Sequence, residues 1–126
     1  MVMRAPARLE TLSALLRDRR LEQVRTAARE CSELRAELQQ LADAAHRSHE
    51  AASELRSAVV IARHEQWRAA RRRELNTSLA AAIARWDRCR SAAAQALGRH
   101  ETLCQLRRRE EARAAHRTET RAQCTD

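Results

Sequence analysis

Between Val24 and Ala62 the residues Val24, Ala27, Cys31, Leu34, Leu38, Leu41, Ala45, Ser48, Ala52, Leu55, Val59 and Ala62 recur at alternating spacings of three and four. Only Ser48 among them is polar, and the intervening positions are mostly Arg, Glu, Gln, Asp and His. An apolar heptad seam sustained over this length predicts a coiled-coil helix. A stripe so narrow cannot be buried by the helix that carries it, so the pattern also calls for a partner helix.

Upstream, Leu9, Leu12 and Leu16 form a short seam with Leu15 beside it, one residue out of phase with the main one. The basic run of residues 17–20 would then lie across a register slip. Pro6 suits a first helical turn, where its missing N–H costs nothing. The spacing predicts one helix from about residue 6 to about residue 72, roughly 100 Å at 1.5 Å per residue.

The clearest break follows Arg71, Arg72 and Arg73, cations that a helix C-terminus favours. Asn76, Thr77 and Ser78 then supply a cluster of N-cap residue types. A second seam follows at Leu79, Ile83, Trp86, Arg90, Ala93, Leu97, His100 and Cys104. The expected fold is all-α: two long helices in an antiparallel coiled-coil hairpin that turns near residues 73–78. A single domain over 6–120 would be flanked by frayed residues 1–5 and 121–126. That turn would set Trp86 against Ala62, Ala93 against Leu55, Leu97 against Ala52 and Cys104 against Ala45, large against small. The first arm would outrun the second and leave residues 6–29 unmated. Leu34, Leu38 and Leu41 would look towards Arg107, Glu110 and Ala114.

Composition narrows the class. The chain has 126 residues, 2% aromatic and 33% charged, with one Gly and one Pro. That profile fits long helices rather than a mixed globular core, and implies a thin, Ala-rich interior. Net charge is +8, and every basic residue other than His is Arg, so acidic partner surfaces are favoured. No apolar run reaches the ~20 residues of a membrane span, and the N-terminus lacks the apolar stretch of a secretory signal. The four cysteines match no zinc spacing and are expected to be reduced, in a cytoplasmic protein.

Several groupings are candidates for function. Leu9, Leu12, Leu16, Leu34, Leu38 and Leu41 make an apolar strip at the open end of the expected hairpin, suited to a protein partner or to homodimerisation. Arg109, Arg113, Arg117 and Arg121 recur every fourth residue and could meet phosphates or an acidic protein surface; the plainer reading is a solvated face. No aromatic residue interleaves them, which disfavours base stacking. Trp67 lies just off the seam and is either a contact anchor or core-edge packing. His46 with His49, and His100 with Cys104, have helical spacing but no third metal ligand nearby in sequence. No phosphate loop or nucleophile elbow is present, so no catalytic role or cofactor is expected.

A short Arg/Glu/Ala/Leu-rich chain of this pattern, opening with Arg8-Leu9-Glu10-Thr11-Leu12, resembles the FliJ and YscO group of flagellar and type III secretion export stalk proteins. The resemblance runs from about Leu9 to Thr120 and rests on architecture, length and composition. It implies a two-helix coiled coil that inserts into the hexameric export ATPase and contacts the membrane export gate or secretion chaperones. An Arg-rich nucleic-acid binder and a homodimeric scaffold are the alternatives.

Overall fold

The structure is a computed structural model that describes residues 5–51 and 58–125, with the side chains of 5–47 and 58–125. It contains two helices, α1 (Ala5–Ala51, 47 residues) and α2 (Ala58–Cys124, 67 residues). Glu30 pairs with Arg85 and Glu37 with Arg71, so residue numbers rise on one helix as they fall on the other. The fold is the expected all-α antiparallel hairpin.

The expected turn site is not where the chain divides into helices. Residues 73–78 lie inside α2, which continues on both sides of them. The cap-type residues there are satisfied within the helix: Thr77 Oγ1 donates back to the carbonyl of Arg73 at 2.9 Å. Arg71 pairs with Glu74 along the same stretch. Leu75, in the middle of the supposed turn, is a buried core residue. Burying Leu75 contributes roughly 1.5–3 kcal/mol and the half-buried Leu79 adds to it, whereas Asn76, Thr77 and Ser78 together cost the helix at most about 2 kcal/mol. Tertiary packing therefore outweighs the local cap preference.

The chain divides into two compact units: a central one, Val24–Arg88, and a terminal one, Met1–Gln23 with Cys89–Asp126. In the central unit the buried residues are Ala27 and Cys31 on α1 and Leu75 and Ala82 on α2. The ion pairs and the inward-facing positions place Ala27 level with Trp86, Cys31 with Ala82, Leu34 with Leu79 and Leu38 with Leu75. Small residues meet at the middle layers, which lets the helix backbones approach closely. Of the large-to-small matches expected from a turn near residue 74, Ala62 is exposed and Cys104 meets Glu10 in place of Ala45, while those with Ala52 and Leu55 fall on residues outside the described ones. Leu34, Leu38 and Leu41 are half-buried within this unit, level with residues 72–79, and do not look towards residues 107–114.

In the terminal unit the inward positions of α1 are Glu10, Ser13, Arg17 and Arg20. Those of α2 are Cys89, Ala93, Ala96, His100, Leu103 and Arg107, of which Ala93 and Ala96 are buried. The anticipated slip at residues 17–20 is absent, because Arg17 and Arg20 continue the three-and-four spacing that starts at Val24. The contact between Ser13 and His100 fixes the register. It sets Arg17 level with Ala96 and Arg20 with Ala93, so that aliphatic stems can cover alanines while the guanidinium groups stay near water. On α2 the anticipated seam residues Arg90 and Leu97 are exposed, and Cys89 and Ala96 take the inward positions. The longer arm is the second one: residues 6–29 are not left unmated, and residues 108–125 are exposed throughout.

Candidate protein-binding surface

On α1 the seam of the terminal unit is polar, with Glu10, Ser13, Arg17 and Arg20, where that of the central unit is apolar. Ser13 Oγ donates to the carbonyl of Glu10 at 2.8 Å and lies 2.7 Å from His100 Nδ1. Cys104 Sγ donates to Glu10 Oε1 at 3.2 Å and lies 3.5 Å from His100 Nε2. Arg107 Nε stands 2.7 Å from Glu10 Oε2, an ion pair whose N–H direction falls short of a well-aligned hydrogen bond. The hydrogen bond to Glu10, partial burial and the Glu10 charge together raise the Cys104 thiol pKa above its ordinary value. Glu10 thus ties α1 to α2 here. The spacing of His100 and Cys104 was visible in sequence; their partners, about ninety residues away, were not.

With polar residues turned inward, the leucines of α1 are turned out. Leu9, Leu12, Leu15 and Leu16 are between 39% and 62% exposed, and on α2 Leu97 and Leu106 are 43% and 49% exposed. Writing the seam as heptad positions a and d, Leu9 and Leu16 occupy g and Leu12 occupies c, along one flank of α1. Leu106 occupies g on α2. In an antiparallel pair the g positions of both helices fall on the same side, as Glu30 with Arg85 demonstrates in the central unit. Leu9, Leu12, Leu16 and Leu106 therefore share one flank of the terminal unit.

The remaining sequence-predicted residues are distributed as follows. Leu34 is inside the central hairpin and contributes to its packing. Leu38 and Leu41, with Ala42 and Ala45, form one wall of a groove of about 440 Å³ whose other wall is Glu65, Arg68, Ala69 and Arg72. The groove exists because Arg72 and Arg68 stand level with Leu41 and Ala45, where closed packing would need apolar side chains. The six leucines are thus not one strip: three are exposed in the terminal unit and three face α2 in the central one. Trp67 is 61% exposed and, with Arg63 and His64, lines a shallow depression. Arg109, Arg113, Arg117 and Arg121 are all exposed. Their four-residue spacing drifts around the helix, so that only Arg109 and Arg113 share the flank of Leu106.

All four cysteines are free thiols, with Cys31 buried and Cys124 exposed. Among the described residues no group of three His, Cys, Asp or Glu side chains is arranged to hold a metal ion, and no helix is long and apolar enough to cross a membrane. No protein-family model, curated protein or solved structure matches this chain.

Proposed function

We propose that this chain is a non-enzymatic coiled-coil adaptor or stalk of a bacterial type III export apparatus, flagellar or injectisome, that works in the cytoplasm and binds the export ATPase ring. The observation that carries the reading is the exposed leucine set Leu9, Leu12 and Leu16 on a two-helix hairpin whose own seam does not need them. Solvent-facing leucines at heptad flanks are costly to leave in water and suit a surface that another protein covers. The basic surface, and the likeness of length and composition to the FliJ and YscO group, support the same assignment. Contacts with the export gate or with secretion chaperones belong to the same proposal.

Static light scattering with the purified ATPase tests it. A complex at micromolar concentration, with a changed hydrolysis rate or ring assembly, is expected. No complex, together with unchanged hydrolysis, would overturn the stalk assignment. The exposed arginines between residues 108 and 121 favour a second reading, a nucleic-acid binder. A filter-binding titration separates the two: retention of nucleic acid at physiological salt, lost steeply as salt rises, would favour it.

A further inference from the structure

We infer that the flank bearing Leu9, Leu12, Leu16 and Leu106 takes an acidic amphipathic helix from a partner protein, with the partner's apolar stripe on these leucines and its carboxylates on the arginines beside them. The inference rests on the protein-binding reading above and adds the chemistry of the partner. Along the c and g positions of the terminal unit, residues 5–23 supply Ala5, Leu9, Leu12, Leu16, Arg19 and Gln23. The same positions on α2 supply Arg99, Arg109 and Arg113 around Leu106, with small or neutral residues elsewhere. There is no carboxylate among them, although the chain has 17 acidic residues. Arg19, Arg99, Arg109 and Arg113 are exposed, and none has an ion-pair partner among the described residues.

The shape of the flank agrees with a helical occupant. Gly98 stands between Gln95 and Thr102 on α2, and a side chain added there would meet nothing within 4 Å. Together with Arg99 and Leu103 these residues outline an open trough of about 630 Å³. Leu9, Leu12 and Leu16 have the three-and-four spacing that matches the stripe of a third helix laid alongside. A second copy of this chain fits worse, because it would set arginines against arginines. Nucleic acid would leave the leucines unused, and no aromatic side chain lies on this flank to stack a base.

Fluorescence anisotropy with two labelled 21-residue peptides tests the inference on the full chain in about 0.15 M salt. Both carry Leu at a and d; one has Glu at e and g, the other Lys. The Glu peptide should bind at micromolar concentration and the Lys peptide should not. L9Q/L16Q and R99E/R113E should each weaken the Glu peptide at least tenfold, and R99E/R113E should admit the Lys peptide. R73E/R108E, with the same change in net charge away from the flank, should cost less than threefold. Circular dichroism checks that helicity is kept, and L9M/L16M should restore binding.

Absence of Glu-peptide binding, equal losses from R73E/R108E, or indifference to L9Q/L16Q would each overturn the inference. So would sedimentation as a dimer that L9Q/L16Q dissociates, or leucine-dependent binding to anionic vesicles in place of the peptide. Peptide binding without any complex with the ATPase would remove the stalk assignment and leave this inference standing. An ATPase complex indifferent to L9Q/L16Q, with no peptide binding, would do the reverse.

Discussion

The two units use the same heptad positions for opposite purposes. In the central unit, a and d hold Ala27, Cys31, Leu34, Leu38, Leu75, Leu79 and Ala82, while g positions hold the ion pairs Glu30–Arg85 and Glu37–Arg71. In the terminal unit, a and d hold Glu10, Ser13, Arg17 and Arg20 on α1 and Cys89, Ala93, Ala96, His100, Leu103 and Arg107 on α2, while g positions include Leu9, Leu16 and Leu106. The first arrangement buries apolar area inside the hairpin. The second buries Ala93 and Ala96 on α2 against a polar face of α1, adds directed polar contacts, and leaves leucines outside. Each contact of a polar seam is worth about 0.5–1.5 kcal/mol net, so such a seam specifies register more than it stabilises. The contrast places most of the hairpin's leucine packing in one unit and leaves exposed, in the other, the leucines proposed above to meet a partner.

The largest effect should come from the central core. Leu75→Ala truncates the one buried leucine among the described residues and should cost about 2–4 kcal/mol, measured by urea unfolding. The matching truncation on the other unit, Leu12→Ala, should change stability by less than about 0.5 kcal/mol. Equal losses at the two sites would abolish the contrast. Next, Ala82→Leu forces a large side chain into a fully buried position and should cost about 1–3 kcal/mol. A stabilised variant would mean that the helices stand apart at that layer.

Smaller effects sharpen the same comparison. A double-mutant cycle on Glu30 and Arg85 should return a coupling of about 0.2–1 kcal/mol, because the pair is solvent-exposed and screened. A coupling beyond that would make the flank of the central unit part of its core. Smallest is the Cys104 effect. The thiol pKa is raised in the folded state, so the folded protein favours the neutral thiol. Its contribution is therefore complete below the ordinary thiol pKa and lost as pH rises through the folded value. Near pH 8.5, Cys104 should alkylate more slowly than exposed Cys124, and Glu10→Gln should reduce the difference. Equal rates in the native protein would remove Glu10 as the cause.

The helical class was legible because a three-and-four apolar pattern without Gly, Pro or β-rich segments leaves few other folds. The position of the reversal was not. Asn76, Thr77 and Ser78 carry turn chemistry on their faces, and only the burial of Leu75 shows that the helix runs through them. The terminal seam was misassigned for a related reason. Leu9, Leu12 and Leu16 read as the seam of their helix from sequence, since hydrophobicity does not say which side of a helix its partner occupies. The real seam of Glu10, Ser13 and Arg17 is recognisable only through residues far along the chain, His100, Cys104 and Arg107. Of the candidate surface, Leu9, Leu12 and Leu16 are exposed together on α1. Leu34, Leu38 and Leu41 join that group only if the chain reverses at residues 73–78, where α2 is continuous.

Register decides which leucines face outward, so the most direct test is a distance across the central unit. Spin labels at Glu30→Cys and Arg85→Cys, in a chain whose native cysteines are replaced by alanine, report it by double electron–electron resonance. The hairpin described here puts these positions in ion-pair contact, with Arg85 Nη1 2.6 Å from Glu30 Oε2, so the labels should lie within about 20 Å of each other. A hairpin turning at residues 73–78 would set position 85 opposite position 65, and the labels would be roughly 50 Å apart at 1.5 Å per residue. The short distance is predicted; the long one would contradict the seam, the flank and the surface assigned to it.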